Sequence, residues 1–256
     1  MGQFGWDLHK PDAVLDFARI VQLGWAISPV DRSAPVIIKR ALVRPSDFTI
    51  SDKATRFHGI SHAYASQEGR ALQDVLVEFI GDVEAERQRG GRVCAHQLET
   101  GGGAISTLRL PPIADQSLAE YASRDIQRCP TNRFDAGIIY RELKRLHRAD
   151  LLETWLVVAN AAFCTMNSPL SWWVQERAGQ QVQQDKDAHR HVLGLKGVAT
   201  RLPIPDCDAL IAQHHDAGVD AHIACLIYIT VLQLAKAAQN ATATEQGEDV
   251  AMSDAQ

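Results

Sequence analysis

The chain reads as an α/β protein built on a mixed sheet, and three observations carry that reading. Short apolar, β-branched runs come first. Helical periodicities follow, and further apolar runs of strand length recur between them.

Taken in order, residues 3–8 form a first short strand, punctuated by Lys10-Pro11-Asp12. Residues 18–27 (ARIVQLGWAI) and 36–43 (VIIKRALV) are the second and third strands, the latter ended by Arg44-Pro45. Phe57-His58-Gly59-Ile60-Ser61 reads as a turn in which Gly59 frees the backbone. Leu72, Val75, Leu76, Phe79, Ile80 and Val83 recur at helical spacing, so residues 72–87 are a helix. Val93-Cys94-Ala95-His96, introduced by Gly90-Gly91, is another strand. Residues 100–133 change character: Gly101-Gly102-Gly103, Pro111-Pro112 and Cys129-Pro130 bracket one weakly helical piece, the look of an insertion. Residues 134–146 return to a helix with Ile138, Ile139, Leu143 and Leu146 on one face. An apolar run over 151–162 leads to Phe163-Cys164-Thr165-Met166, and the Gln-rich stretch 175–191 is a polar excursion. The last helix spans about 219–238. Beyond it, residues 239–256 hold too little apolar content to fold and form a disordered acidic tail, so one domain over 1–238 is expected.

Composition narrows the function classes. The formal net charge is −5, and removing the tail's Glu245, Glu248, Asp249 and Asp254 leaves about −1 for the body. A nearly neutral body suits an enzyme gripping a few nucleotides at a strand end. It does not suit a protein that coats duplex through many Lys/Arg–phosphate contacts. No run approaches ~18 consecutive apolar residues, so no transmembrane helix is expected. Residues 1–6 lack a basic region followed by an apolar stretch, so no secretory signal is expected either. The five cysteines (Cys94, Cys129, Cys164, Cys207, Cys225) are scattered with no CxxC pair. They read as reduced thiols in an intracellular setting, cytoplasmic or nuclear.

The most informative stretch is His215-Asp216-Ala217-Gly218-Val219-Asp220, a histidine five positions ahead of an aspartate at the start of an apolar helix. Such a pair can set a neutral imidazole beside a carboxylate that holds a divalent cation, which metal-assisted phosphodiester hydrolysis requires. Other motifs fall in a definite order around it. Asp7 ends the first strand about a dozen residues before Arg19-Ile20-Val21-Gln22-Leu23-Gly24. Arg44-Pro45, Phe48-Thr49-Ile50 and His58-Gly59-Ile60-Ser61 follow, then Gly69, Leu72, Val75, Leu76 and Phe79. With residues 100–133 set aside, Ala95-His96-Gln97-Leu98-Glu99 runs directly into Phe134-Asp135.

This ordered set resembles the DEDDh 3′–5′ exonucleases, which include proofreading subunits and oligoribonucleases, over most of the chain from Trp6 to about Lys236. The resemblance implies a ribonuclease H-like mixed β-sheet flanked by helices. It also implies two divalent cations, Mg²⁺ or Mn²⁺, held by Asp7, Asp135 and Asp220, with His215 as general base. His9, His96 and His58 would be substrate neighbours, and the substrate would be the 3′ end of single-stranded DNA or RNA. Three departures stand out: His9 where the family has glutamate, Gln97 where it has asparagine, and the insertion within the second motif. An imidazole is a poor Mg²⁺ ligand, so His9 suits Mn²⁺ or Zn²⁺ better. A catalytically impaired relative that binds nucleic acid or a protein partner is the alternative. Trp172-Trp173 offers a base-stacking surface, and Arg141, Lys144, Arg145 and Arg148 form a basic face on the helix that carries Asp135.

Overall fold

The computed structural model describes residues 19–29, 31–95, 134–160, 162–165, 194–213 and 216–253. Over these residues the protein is mixed α/β. The expected strand at 3–8, the insertion 100–133, the excursion 175–191 and Trp172-Trp173 lie outside the described residues.

Strand β1 (Gln22–Ile27) pairs antiparallel with β2 (Ile37–Leu42), in a register running from Gln22 opposite Leu42 to Ile27 opposite Ile37. β1 begins later than the expected Ala18, because Arg19 and Ile20 are drawn into a different contact. Glu142, fully buried, accepts from Arg19 Nε at 2.9 Å and from the Ile20 N–H at 3.3 Å. Arg19 Nη2 also meets Asp47 at 2.6 Å, and its guanidinium lies over the Phe48 ring at 4.5 Å.

Two short helices, α1 (Asp52–His58) and α2 (His62–Glu68), follow where the sequence shows only a turn. Each is opened by a serine: Ser51 Oγ accepts from the Ala54 N–H and Ser61 Oγ from the Tyr64 N–H. Gly59 sits between them at φ +76°, so the glycine reading holds. The helices escape periodicity because they are only two turns long and α1 buries no residue.

Helix α3 (Leu72–Gln88) buries Val75, Leu76, Phe79, Ile80 and Val83, the face its spacing indicates. Strand β3 (Cys94–Ala95) pairs parallel with β4 (Phe163–Cys164). Between them in the chain lie α4 (Phe134–Arg145) and α5 (Ala149–Asn160). Two short helices, α6 (Leu195–Ala199) and α7 (Cys207–Ile211), precede the long α8 (Ala217–Ser253). α8 runs past the expected end near residue 238, through the stretch read as disordered. Ala237, Ala238, Ala241, Ala243, Glu245 and Gln246 are mostly strong helix formers, and an already nucleated helix propagates through them without needing a core.

Helices cover both faces of β1. On one face Trp25 meets Phe79 edge-on at 5.5 Å, and Phe79 meets Trp155 of α5 at 5.6 Å. Both indoles satisfy their N–H, Trp25 on Asp82 at 2.8 Å and Trp155 on the Ala136 carbonyl at 3.0 Å. On the other face lies α8, whose Ile223, Ile227, Tyr228 and Val231 form a second core with Leu195, Val198 and Leu202. Residues Ala217–Leu234 of α8 are long and apolar enough to cross a membrane, contrary to the expectation from uninterrupted apolar runs. In the fold 56% of that window is buried, as befits a core helix.

The buried Glu142 gives a test of this arrangement. Glu142→Ala leaves Arg145 facing a void without this counter-charge and leaves Arg19 only its exposed partner Asp47, and is expected to cost roughly 3–5 kcal/mol. Asp47→Ala removes a partner that is 59% exposed and is expected to cost under about 1 kcal/mol. Urea unfolding of the two variants measures the difference.

Candidate active site

The site is assembled where the first turn of α8 meets β1. Gln22 Oε1 accepts from the Ala217 N–H at 3.0 Å, satisfying one of the donors that a helix start leaves open. Asp216 caps the same turn, accepting from the N–H groups of Gly218 at 3.0 Å and Val219 at 3.2 Å. Arg40 of β2 holds the Asp216 carboxylate at 2.6 Å. Two positions along β1, Gly24 lets the helix approach the strand: a Cβ there would sit 2.1 Å from the Ala217 carbonyl carbon and oxygen. The backbone of α8 therefore begins against the backbone of β1. This fixes the direction of the first turn, and Asp220 projects from that turn.

Asp135 belongs to the first turn of α4. Asp135 and Asp220 line one cavity of about 1380 Å³, whose wall also includes His58, Arg19 and all of β1. Both carboxylates are half-buried in that wall. Burial pushes Asp135 up to about 7, and the neighbouring charge of Asp220 adds to the shift. Two carboxylates from distant parts of the chain are thus close enough to resist carrying charge together. In His58, Nδ1 accepts from the Ile60 N–H at 3.1 Å, and burial lowers its pKa. The ring is therefore neutral near pH 7 with its proton on Nε2. The histidine thus closes the turn after α1 and at the same time forms part of the cavity wall.

Of the residues the sequence singles out, Asp135, Asp220 and His58 are brought to one cavity. Asp7, His9, His96 and His215 lie outside the described residues. Among the described residues no three His, Cys, Asp or Glu side chains converge as a metal-holding group. The basic face expected on α4 is largely engaged locally. Arg145 lies 3.1 Å from Glu142, Arg148 Nε donates to Asp150 at 2.8 Å, and Lys144 sits over the Tyr140 ring. Gln22, Gly24 and Asp216 fall inside the quoted motifs but carry no assigned role in the sequence, and Glu142 is not singled out at all. For Gly24 a signal existed, since glycine inside a strand marks a close backbone approach. For Gln22 and Glu142 none did, because their partners are far away in sequence. Comparison with protein-family models, curated proteins and solved structures gives no match for this chain.

Two expectations follow from this geometry. Gly24→Ala drives a methyl group into the start of α8 and is expected to cost about 3 kcal/mol in urea unfolding. For Asp135 the sign of the pH effect is set by its upward shift. The unfolded chain releases this proton near the ordinary value of 3.8, whereas the folded protein holds it to about 7. Without divalent cations, stability therefore falls as pH rises from about 4 to about 7, by on the order of 1–2 kcal/mol once the water in the cavity screens the pair. Asp135→Asn should abolish that fall and raise Tm by a few degrees at pH 8. A stability difference between variant and parent that stays constant from pH 4 to 8 would contradict the coupling.

Proposed function

We propose that this chain is a metal-dependent 3′–5′ exonuclease of ribonuclease H-like fold, hydrolysing phosphodiester bonds at the 3′ ends of single-stranded DNA or RNA. The observation that carries this reading is the meeting of Asp135 and Asp220. Two separate motifs single out these carboxylates, and they share one cavity in which the charge of one raises the pKa of the other.

The donor chemistry fits a hard divalent cation. Carboxylate oxygens are the ligands Mg²⁺ and Mn²⁺ take, and a cation between Asp135 and Asp220 relieves the repulsion that keeps Asp135 protonated near neutral pH. Binding would then displace the Asp135 proton into solvent. When bound, such cations supply Lewis acidity to the scissile phosphate and lower the pKa of the attacking water. The chain's own residues do the rest. Asp135 and Asp220 hold their positions on two helices whose first turns are pinned by packing. His58, neutral with its proton on Nε2, supplies a donor to a phosphate or sugar oxygen entering the cavity. By the resemblance, Asp7 contributes a further carboxylate and His215 accepts the proton of the attacking water, while His9 and His96 neighbour the substrate.

One observation favours a second reading, an impaired exonuclease-like domain that binds nucleic acid or a protein partner. His9 stands where the resemblance expects glutamate, and an imidazole brings no negative charge to a cation.

The two readings separate in one assay. Single-stranded DNA and RNA labelled at either end are incubated with Mg²⁺ or Mn²⁺, with Asp220→Ala in parallel. The exonuclease produces a ladder that shortens from the 3′ end. Asp220→Ala should lower the rate by at least about 10²-fold, and a preference for Mn²⁺ would trace to His9. A folded preparation that cleaves neither polymer with either ion overturns the enzyme and leaves the binding domain.

A further inference from the structure

Strand β2 pairs with β1 on one edge, and most of its other edge is open. The Val43 N–H donates to the Val21 carbonyl at 2.8 Å, so Val43 points its backbone groups at β1. Antiparallel alternation then turns those of Ile38, Arg40 and Leu42 the other way. The Leu42 carbonyl does face outward: it accepts from the Arg70 N–H at 2.9 Å. Arg70 closes that end of the edge, and Pro35, which has no N–H, precedes the other. Between them, no strand among the described residues pairs with the outward N–H and C=O groups of Ile38 and Arg40.

Open sheet edges are ordinarily guarded by charge. Here the two basic residues of the edge are committed within their own chain. Lys39 Nζ meets Asp82 at 2.7 Å and Glu78 at 3.3 Å, and Arg40 holds Asp216 at 2.6 Å. Beside them stand two exposed isoleucines, Ile37 at 55% and Ile38 at 46%. Apolar side chains and neutralised charge leave little on this edge to repel another strand.

We propose that the edge is the interface of a two-fold dimer, in which β2 of one copy pairs antiparallel with β2 of a second and the two sheets become one. Charge and length select this occupant and its register. An axis through Lys39 would set that residue opposite itself, and an axis through Arg40 would oppose two guanidiniums; like charges so placed repel. An axis through Ile38 avoids both. It sets Ile38 against Ile38, Val36 against Arg40 and Ile37 against Lys39, so each cation lies across from an apolar side chain. The open stretch from Val36 to Arg40 is itself centred on Ile38, so the outward backbone groups of all three even-numbered residues find partners. One patch thus serves both copies, as a closed dimer requires. None of residues 36–40 lines the cavity that holds Asp135 and Asp220, so the interface is separate from that site and the proposal does not rest on the exonuclease reading.

Sedimentation equilibrium of the full chain, from about 1 to about 100 µM, tests the dimer. A monomer–dimer equilibrium is expected, with the Ile38 and Arg40 amides exchanging more slowly as the dimer forms. Ile38→Lys brings two ammonium groups face to face on the axis and should raise the dimer dissociation constant at least about tenfold. Its circular dichroism should match the parent's, since Ile38 is already close to half exposed. Ile37→Lys, more exposed and set across from Lys39, carries the same expectation and replaces Ile38→Lys should that variant not fold. A parent chain that stays monomeric throughout overturns the proposal and leaves the edge to a strand of another protein. A dimer whose Ile38 and Arg40 amides exchange at the monomer's rate overturns it, as does one that a folded lysine variant retains at full strength, because the contact then lies elsewhere.

Discussion

The close approach of α8 to β1 at Gly24 is the constraint on which most of this structure depends. Bare backbone on the strand allows the helix start to lie almost in contact with it, and the Gln22 amide then reaches the open Ala217 N–H. From that contact the helix runs outward with Ile223, Ile227 and Val231 buried against α6 and the segment leading to α7. Its direction decides where Asp220 points. A larger residue at position 24 would lift the helix, break the Gln22 contact and shift the carboxylate, so packing and chemistry share one small region of backbone.

The opposite face of β1 is held by different means. The stack of Trp25, Phe79 and Trp155 supplies large apolar area, and each indole N–H still finds an acceptor. Near the chain's entry into β1, a fully buried glutamate gathers two arginines and a backbone N–H. A buried ion cluster contributes little net stability compared with apolar packing, but it tolerates few alternative arrangements. Its effect here is to fix where β1 begins relative to α4, the helix that carries Asp135. The two carboxylates are therefore positioned by independent contacts on the two faces of one strand.

Their meeting is unfavourable for the folded chain alone. Asp135 is held near pH 7 because burial and Asp220 both oppose its charge, an arrangement that folding stability alone would not favour. Stability sacrificed at a site is common where a ligand later restores it. In the proposed exonuclease a divalent cation would do so by bringing positive charge to the two carboxylates.

Much of the architecture could be read from residue order. The periodicity of α3, the run of β2, the helix beginning at Phe134 and the turn at Gly59 depend on neighbours within a few positions, and local pattern reports such features well. The short α1 and α2 leave no trace in periodicity because neither repeats long enough to show an apolar stripe, although Ser51 and Ser61 mark their starts. The extent of α8 is not legible in apolar content, since alanine-rich sequence continues a helix that packing has already begun. Motif order nominates Asp135 and Asp220, and the resemblance implies that they share a metal site, but no local pattern of residues specifies the contacts that bring them together. Their meeting, like the Gln22 contact, the buried Glu142 and the fit of α8 on Gly24, was decided by tertiary structure. The sequence by itself determined element types and candidate chemistry because those rest on local spacing. Only the fold decided which candidates share a site, because long-range contacts depend on backbone approach and burial that no single stretch of sequence records.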